Sequence, residues 1–296
     1  MRIATYWWGG RRHVGRVSPD GRSVTPLALA DDRTDRSRES GALSLIEWLA
    51  DGRPLPPASG AALPLSAVKL DAPLPRPRRN IFCAGLNYRA HAKEWAASGI
   101  EGPRSAPPPD AEHPVIFSKV PECVIAPGEA IRLPGAVSSA VDYEAELAVV
   151  IGKGGRAISR SRALEHVFGY TAFNDVTARD VQKRHKQFLL GKSIDTFGPM
   201  GPWIVTPDEF DASATRVRCW VNDELRQEAS TRDLIFDVPA LIESISAAVS
   251  LVPGDVIATG TPGGVGIGFD PPKFLKSGDR VRIEIDGIGV LENPVR

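Results

Sequence analysis

Two glutamates stand two residues apart in Asp142-Tyr143-Glu144-Ala145-Glu146-Leu147-Ala148-Val149-Val150, at the head of an apolar, β-branched run. Side chains alternate sides along a strand, so Glu144 and Glu146 share a face, and Asp142 is expected to share it with them. Carboxylates side by side in a strand built for burial repel one another. The arrangement holds when the acids are solvated at an edge, when one keeps its proton, or when a cation sits between them. Further along, Phe173-Asn174-Asp175-Val176-Thr177-Ala178-Arg179-Asp180 opens a helical stretch and offers Asp175 as a third oxygen ligand. Three carboxylates suit Mg²⁺ or Mn²⁺, which take oxygen ligands octahedrally and leave positions for water or a chelating substrate. On these residues alone, a strand end with solvated acids fits as well.

A second pair could move protons. In Gly85-Leu86-Asn87-Tyr88-Arg89-Ala90-His91-Ala92-Lys93-Glu94-Trp95 a turn and an Asn87 cap lead into a short helix, with His91 and Glu94 three residues apart on one face. A carboxylate beside an imidazole fixes its tautomer and raises its basicity, although an exposed pair at this spacing is also an ordinary surface feature. Lys192 sits between glycine and serine, but Lys186 occupies the place where a phosphate-binding G-x-x-x-x-G-K-[ST] loop needs its first glycine. Thr259-Gly260-Thr261-Pro262-Gly263-Gly264-Val265-Gly266 is a loop whose glycines permit close approach to a ligand. The chain has no G-x-S-x-G elbow, no H-E-x-x-H and no Cys/His quartet, which argues against a serine hydrolase or a zinc site.

These segments resemble the fumarylacetoacetate hydrolase family. The resemblance is carried by the run from Asp142 to Lys153, by Asn174-Asp175-Val176-Thr177-Ala178-Arg179-Asp180-Val181-Gln182, by Gly191-Lys192-Ser193-Ile194-Asp195-Thr196-Phe197-Gly198-Pro199, and by the Thr259 to Gly266 loop, in order over roughly residues 80 to 296. It implies that Glu144, Glu146 and Asp175 ligate Mg²⁺ or Mn²⁺ and that His91 and Glu94 form a catalytic dyad on a segment that closes over the site. It also implies that Lys192 reaches the metal site, and that Arg179, Gln182 and Thr261 contact the substrate or support those that do, Thr261 through its hydroxyl and backbone N–H to a carboxylate. Lys119 is a further candidate contact. The reaction expected is cleavage of a C–C bond in a 2,4-dioxo acid through a metal-stabilised enolate. Oxaloacetate decarboxylation or isomerisation of a hydroxymuconate-like diene would use the same enolate, and a non-catalytic metal-dependent binding protein is the alternative of another class. A homodimer is implied in the same way.

The elements that must position these groups read as α+β and β-dominated, a mixed β-sheet roll of the family type with a small N-terminal β-rich domain over residues 1–72 and the catalytic domain over 73–296. Strands are expected at Arg2 to Trp8, His13 to Val17 and Ser23 to Pro26, then at Pro114 to Ser118, Leu147 to Ile151, Arg216 to Asn222, Val256 to Thr259 and Arg280 to Ile285. Helices are expected at Leu43 to Leu49, Tyr88 to Ala97, Arg160 to His166, Ala178 to Lys186 and Pro239 to Ser250, and Pro54 to Pro64 reads as a linker. The proline-rich stretch Ala97 to His113 is an expected part of the substrate lid, and Trp95, Phe188 and Phe197 are candidates for the pocket wall or the core.

With 296 residues, 42% of them apolar, the chain can bury a large core, and 36 basic residues against 36 acidic ones give none of the excess positive charge that nucleic acid binding needs. Three cysteines far apart read as buried thiols. The absence of a long apolar run or a signal-like N-terminus sets the expectation of a soluble, cytoplasmic protein with no membrane partner, and the family resemblance implies a small 2-oxo acid as its substrate.

Overall fold

The structure, a computed structural model, describes residues 1–29, 41–97 and 112–296, so most of the expected lid stretch and the side chain of Trp95 lie outside the described residues. At its centre is a sheet whose middle strands are buried on both faces. In Ala145–Ile151 every residue is buried: Leu147, Val149 and Ile151 enter one apolar cluster, while Ala148 and Val150 enter the other. A strand covered on both sides carries an apolar run in place of an alternating pattern. Glu146 continues the row of Ala148 and Val150, so the sheet delivers a carboxylate where its apolar face ends.

The neighbours of this strand decide what meets Glu146. Val167–Asn174 runs antiparallel to it with Ala145 opposite Asn174 and Glu146 opposite Phe173. The chain therefore leaves Asn174 directly beside Glu144, where the Asp175 N–H donates to the Glu144 carbonyl at 2.9 Å and the Glu144 N–H donates to Asn174 Oδ1 at 3.1 Å. On the other flank come Val256–Ala258, then Ile81–Gly85 parallel to it, then Val115–Lys119 at the edge. The loop after Val256–Ala258 holds Thr261, and the segment after Ile81–Gly85 leads into helix Arg89–Ala97, so both approach the acids from one end of the sheet.

The N-terminal strands do not form a sheet of their own. Arg2–Trp8 pairs with Arg11–Val17 through a two-residue turn, in which Gly9 and Gly10 both take the positive φ that a tight hairpin needs. Its other edge meets Gly198–Val205, with Arg2 opposite Val205, so the described strands of the N-terminal region extend the main sheet. A separate antiparallel sheet orders Glu224–Ser230, Arg216–Val221, Arg280–Ile285 and Gly289–Pro294. Helix Val238–Ala248 begins at Asp237, whose carboxylate accepts from the Ala240 N–H at 2.9 Å, with Pro239 in the first turn, and it buries Leu241, Ile242 and Ile245.

Three local expectations need correcting. Arg160–His166 is a 3₁₀ helix, and Leu63–Pro64, read as linker, hydrogen-bonds as a strand to Ser23–Pro26. Asp142 does not share the face of Glu144 and Glu146 as a continuous strand would require. The extended pairing breaks at Tyr143 and Glu144, which turns Asp142 towards Arg179 and the loop at Gly266.

Candidate active site

The register described above brings Glu144, Glu146 and Asp175 together with one carboxylate oxygen from each within 4.8 Å of the others, all three buried. Cations surround two of them. Lys192 Nζ donates to Glu144 Oε2 at 2.7 Å and to Asp175 Oδ2 at 2.8 Å. Lys119, fully buried, places Nζ 2.8 Å from Asp175 Oδ1 and also donates to the carbonyls of Val176 and Lys192. Arg179 reaches Glu144 Oε1 at 2.7 Å and Asp142 Oδ2 at 2.8 Å. Asp142 in turn accepts from the N–H groups of Gly266 and Ile267 and so ties the glycine-rich loop to the acids.

Glu146 is different. Among the described residues it forms no ion pair, and its Oε2 accepts from the Gly260 N–H at 2.8 Å. Burial, and then the charges of Asp175 and Glu144, push its carboxyl well above the usual carboxylate range. Burial also opposes ionisation of Glu144, but Lys192 and Arg179 outweigh it and hold that carboxyl at about 2. For Lys192 the same contest, burial against Asp175 and Glu144, ends with its ammonium form favoured. The cluster thus sets four carboxylates, counting Asp142, against three side-chain cations, with the deficit at Glu146. A divalent cation among the three converging oxygens removes that conflict, and an all-oxygen donor set suits Mg²⁺ or Mn²⁺. The residues therefore fit such an ion.

A narrow cavity opens beside the acids and is lined by Glu144, Glu146, Arg179, Gln182, Lys192, Thr261 and His91, with Leu86, Phe117 and Phe188 on its apolar side. Phe188 packs edge-on against Phe117 with ring centroids 5.2 Å apart, whereas Phe197 is core. Within the lining, Arg179 Nη2 and Gln182 Oε1 are buried with no hydrogen-bond partner among the described residues. Asp175 stands behind the cavity wall, and Lys119 does not reach the cavity at all. Its position makes it a support for Asp175.

The helix carrying the dyad is fixed at its start by Asn87, but not as a side-chain cap of its own helix. The Asn87 amide donates to the carbonyls of Phe236 and Thr259, and its Oδ1 accepts from the Phe236 N–H. His91 is buried, with Nδ1 3.7 Å from Glu94 Oε2, too long for a hydrogen bond. Glu94 uses its other oxygen to accept from the Gly264 N–H at 2.7 Å.

Gln227 carries no signal in the sequence as a site residue. It lies on Glu224–Ser230 in the separate sheet, fully buried, and its Nε2 donates to Thr261 Oγ1 at 2.8 Å and to the Pro262 carbonyl at 2.9 Å. Gln227 and the roles of Lys119 and Asn87 depend on contacts between residues far apart in the chain, which no local spacing encodes.

The chain is 49% identical to the oxaloacetate tautomerase YisK of Bacillus subtilis (strain 168) over 311 aligned residues, covering 100% of both chains. Among solved structures it superposes on fumarylacetoacetate hydrolase from psychrophilic Exiguobacterium antarcticum with a TM-score of 0.83 at 38% identity, covering 100% of this chain and 99% of the other. It also superposes on maleylpyruvate hydrolase from Sphingobium sp. SYK-6, solved with manganese (II) ion and pyruvate, with a TM-score of 0.75 at 32% identity, covering 100% and 98%. Residues 80–296 match the family model described as fumarylacetoacetate (FAA) hydrolase C-terminal, the same span that holds every acid, the dyad and the Thr261 loop. The chain belongs to the fumarylacetoacetate hydrolase family and is an enzyme of it.

Proposed function

We propose that the protein interconverts the keto and enol forms of oxaloacetate, with Mg²⁺ or Mn²⁺ held by Glu144, Glu146 and Asp175. The observation that carries this reading is the likeness, over its whole length, to an oxaloacetate tautomerase. The sequence alone puts C–C hydrolysis first, with oxaloacetate decarboxylation or diene isomerisation through the same enolate as alternatives, and this likeness moves an isomerisation of oxaloacetate to first place. When bound, a divalent ion supplies a Lewis acid for the carboxylate and 2-oxo oxygen of such a substrate.

The rest of the chemistry belongs to side chains. His91, as the neutral imidazole, takes a proton from C3 of the keto acid, and the electron pair left behind moves onto the 2-oxo oxygen. Lys192 keeps one N–H beyond those given to Glu144 and Asp175, and its charge faces the negative oxygen that forms. That oxygen takes a proton from solvent and His91 returns its own to solvent, so the proton count is unchanged and the enol is complete; the return reaction reverses each move. Glu94, with Oε2 on the Nδ1 side of the ring, stabilises the imidazolium in transit. Arg179 Nη2 and Thr261 supply donors for substrate carboxylates. Tautomerisation needs no attacking water, which accords with the burial of His91.

The second reading, hydrolysis of an acylpyruvate, is supported by the likeness to the maleylpyruvate hydrolase. The deciding assay follows the ultraviolet absorbance of enol-oxaloacetate as it ketonises, with added Mn²⁺ and after EDTA, beside pyruvate release from acylpyruvates. Metal-dependent acceleration of ketonisation is expected. Pyruvate release from acylpyruvates with no effect on ketonisation would replace this reading by the second one.

A further inference from the structure

The Gln227 side chain bridges two pieces of the site from outside it. Its Oε1 accepts from the Ala145 N–H at 3.0 Å, between the two metal-site glutamates, and its Nε2 donates to the Pro262 carbonyl at 2.9 Å and to Thr261 Oγ1 at 2.8 Å. The orientation of the amide is settled by its partners, because a backbone N–H only donates and a carbonyl only accepts. Gln227 must therefore present an N–H to the Thr261 hydroxyl oxygen.

A hydroxyl is ordinarily ambivalent, since it can turn to accept or to donate. With its oxygen engaged by Gln227, the Thr261 hydroxyl keeps its proton for another partner, and among the described residues it donates to none. Thr261 is buried and lines the cavity beside Glu144, Glu146 and Lys192. A buried donor without an acceptor is costly, so the group that fills this part of the cavity is one that accepts.

We infer that Gln227 is a positioning and specificity-determining residue: by donating to Thr261 it directs the hydroxyl proton away from itself, towards the cavity, and so favours a carboxylate oxygen at this point of the substrate. The inference rests on the reading in which Thr261 meets the substrate carboxylate. The same contacts explain how the separate four-stranded sheet takes part in substrate choice without touching the cavity. The backing is close there: a Cβ on Gly264 would collide with the Arg226 carbonyl, so the loop lies directly on this strand.

The test uses Gln227→Glu and Gln227→Met, each alone and combined with Thr261→Val. A glutamate can still accept from Ala145 but now accepts from Thr261 as well, which turns the hydroxyl proton away from the cavity. Methionine keeps the volume and removes the donor, so the hydroxyl is free to turn. Pyruvate binding in the presence of Mn²⁺ is measured by calorimetry, and KM and kcat for oxaloacetate by the ketonisation assay. Expected is a roughly tenfold weakening of pyruvate binding and a similar rise in KM in either single variant, kcat held within about twofold, and no further loss once Thr261 is valine. Equal losses with and without the Thr261 hydroxyl, a fall in kcat with KM unchanged, or unaltered binding would overturn the assignment. Pyruvate binding that responds as expected in a protein that does not ketonise oxaloacetate would remove the proposed reaction and leave the role of Gln227 standing.

Discussion

The acid cluster and the His91 helix face the same cavity, yet they are held by very different amounts of structure. Glu144, Glu146 and Asp175 sit at the ends of strands buried on both faces, and their oxygens meet two lysines, one arginine and the backbone N–H of Gly260 at 2.7 to 2.8 Å. The dyad sits on one short helix, His91 and Glu94 stand 3.7 Å apart, and among the described residues Glu94 is gripped by a single N–H, from Gly264. An ion site must resist the mutual repulsion of its own ligands, which only a rigid, cation-lined frame can do. A proton carrier must change charge and partner within each turnover, and a sparse set of contacts leaves it free to do so.

This contrast can be broken in graded ways. The largest effect is expected from His91→Asn, which removes the proposed proton carrier and leaves the acids in place: kcat should fall by about 10² to 10⁴. Mn²⁺ affinity, measured by titration, should stay as in the parent protein. A loss of metal binding in that variant would mean that the two regions are not separable.

Lys119→Met acts on the other region. It strips a fully buried ammonium from Asp175 and should cost about 3 to 5 kcal/mol of stability in urea unfolding, as removal of one partner of a buried pair does. The exposed Arg162–Glu165 pair, whose side chains are 62% and 54% accessible, is screened by water and should contribute far less to stability. Equal costs for the two would remove the claim that the acid frame is structurally demanding.

A smaller effect sharpens the account of the dyad. A Cβ on Gly263 would lie 3.0 Å from Glu94 Oε1 and 3.1 Å from Ala90 Cβ, so Gly263→Ala should push Glu94 from its place. Its end is flexible, and the expected loss in kcat is about tenfold or less, well below that of the His91 variant. A loss as large as that of His91→Asn would show that Glu94 has no room to adjust.

How much of this was legible in the sequence follows the same division. Apolar, β-branched runs such as Leu147 to Ile151 announced the central strands, and Glu144, Glu146 and Asp175 were visible as three acids at the ends of two such segments. Gly198–Val205 carries two prolines and two glycines, the composition of a turn, yet all eight of its residues are buried in the main sheet. Tertiary packing outweighs local preference there. The break at Tyr143 and Glu144 was invisible because strand alternation predicts faces only while the strand continues. Lys119, Asn87 and Gln227 act on residues 56, 172 and 34 positions away, and only the folded register brings them together.

The central claim is that three carboxylates converge on one divalent ion, and titration of the metal-free protein with Mn²⁺ tests it most directly. Burial and the charges of Asp175 and Glu144 hold the Glu146 carboxyl well above its usual range, so an incoming ion must displace a proton, and affinity should weaken as the pH is lowered. The account predicts one ion per chain, with binding lost in both Glu146→Gln and Asp175→Asn while both variants remain folded. Absence of uptake by the parent protein, or unchanged uptake by those variants, would contradict it.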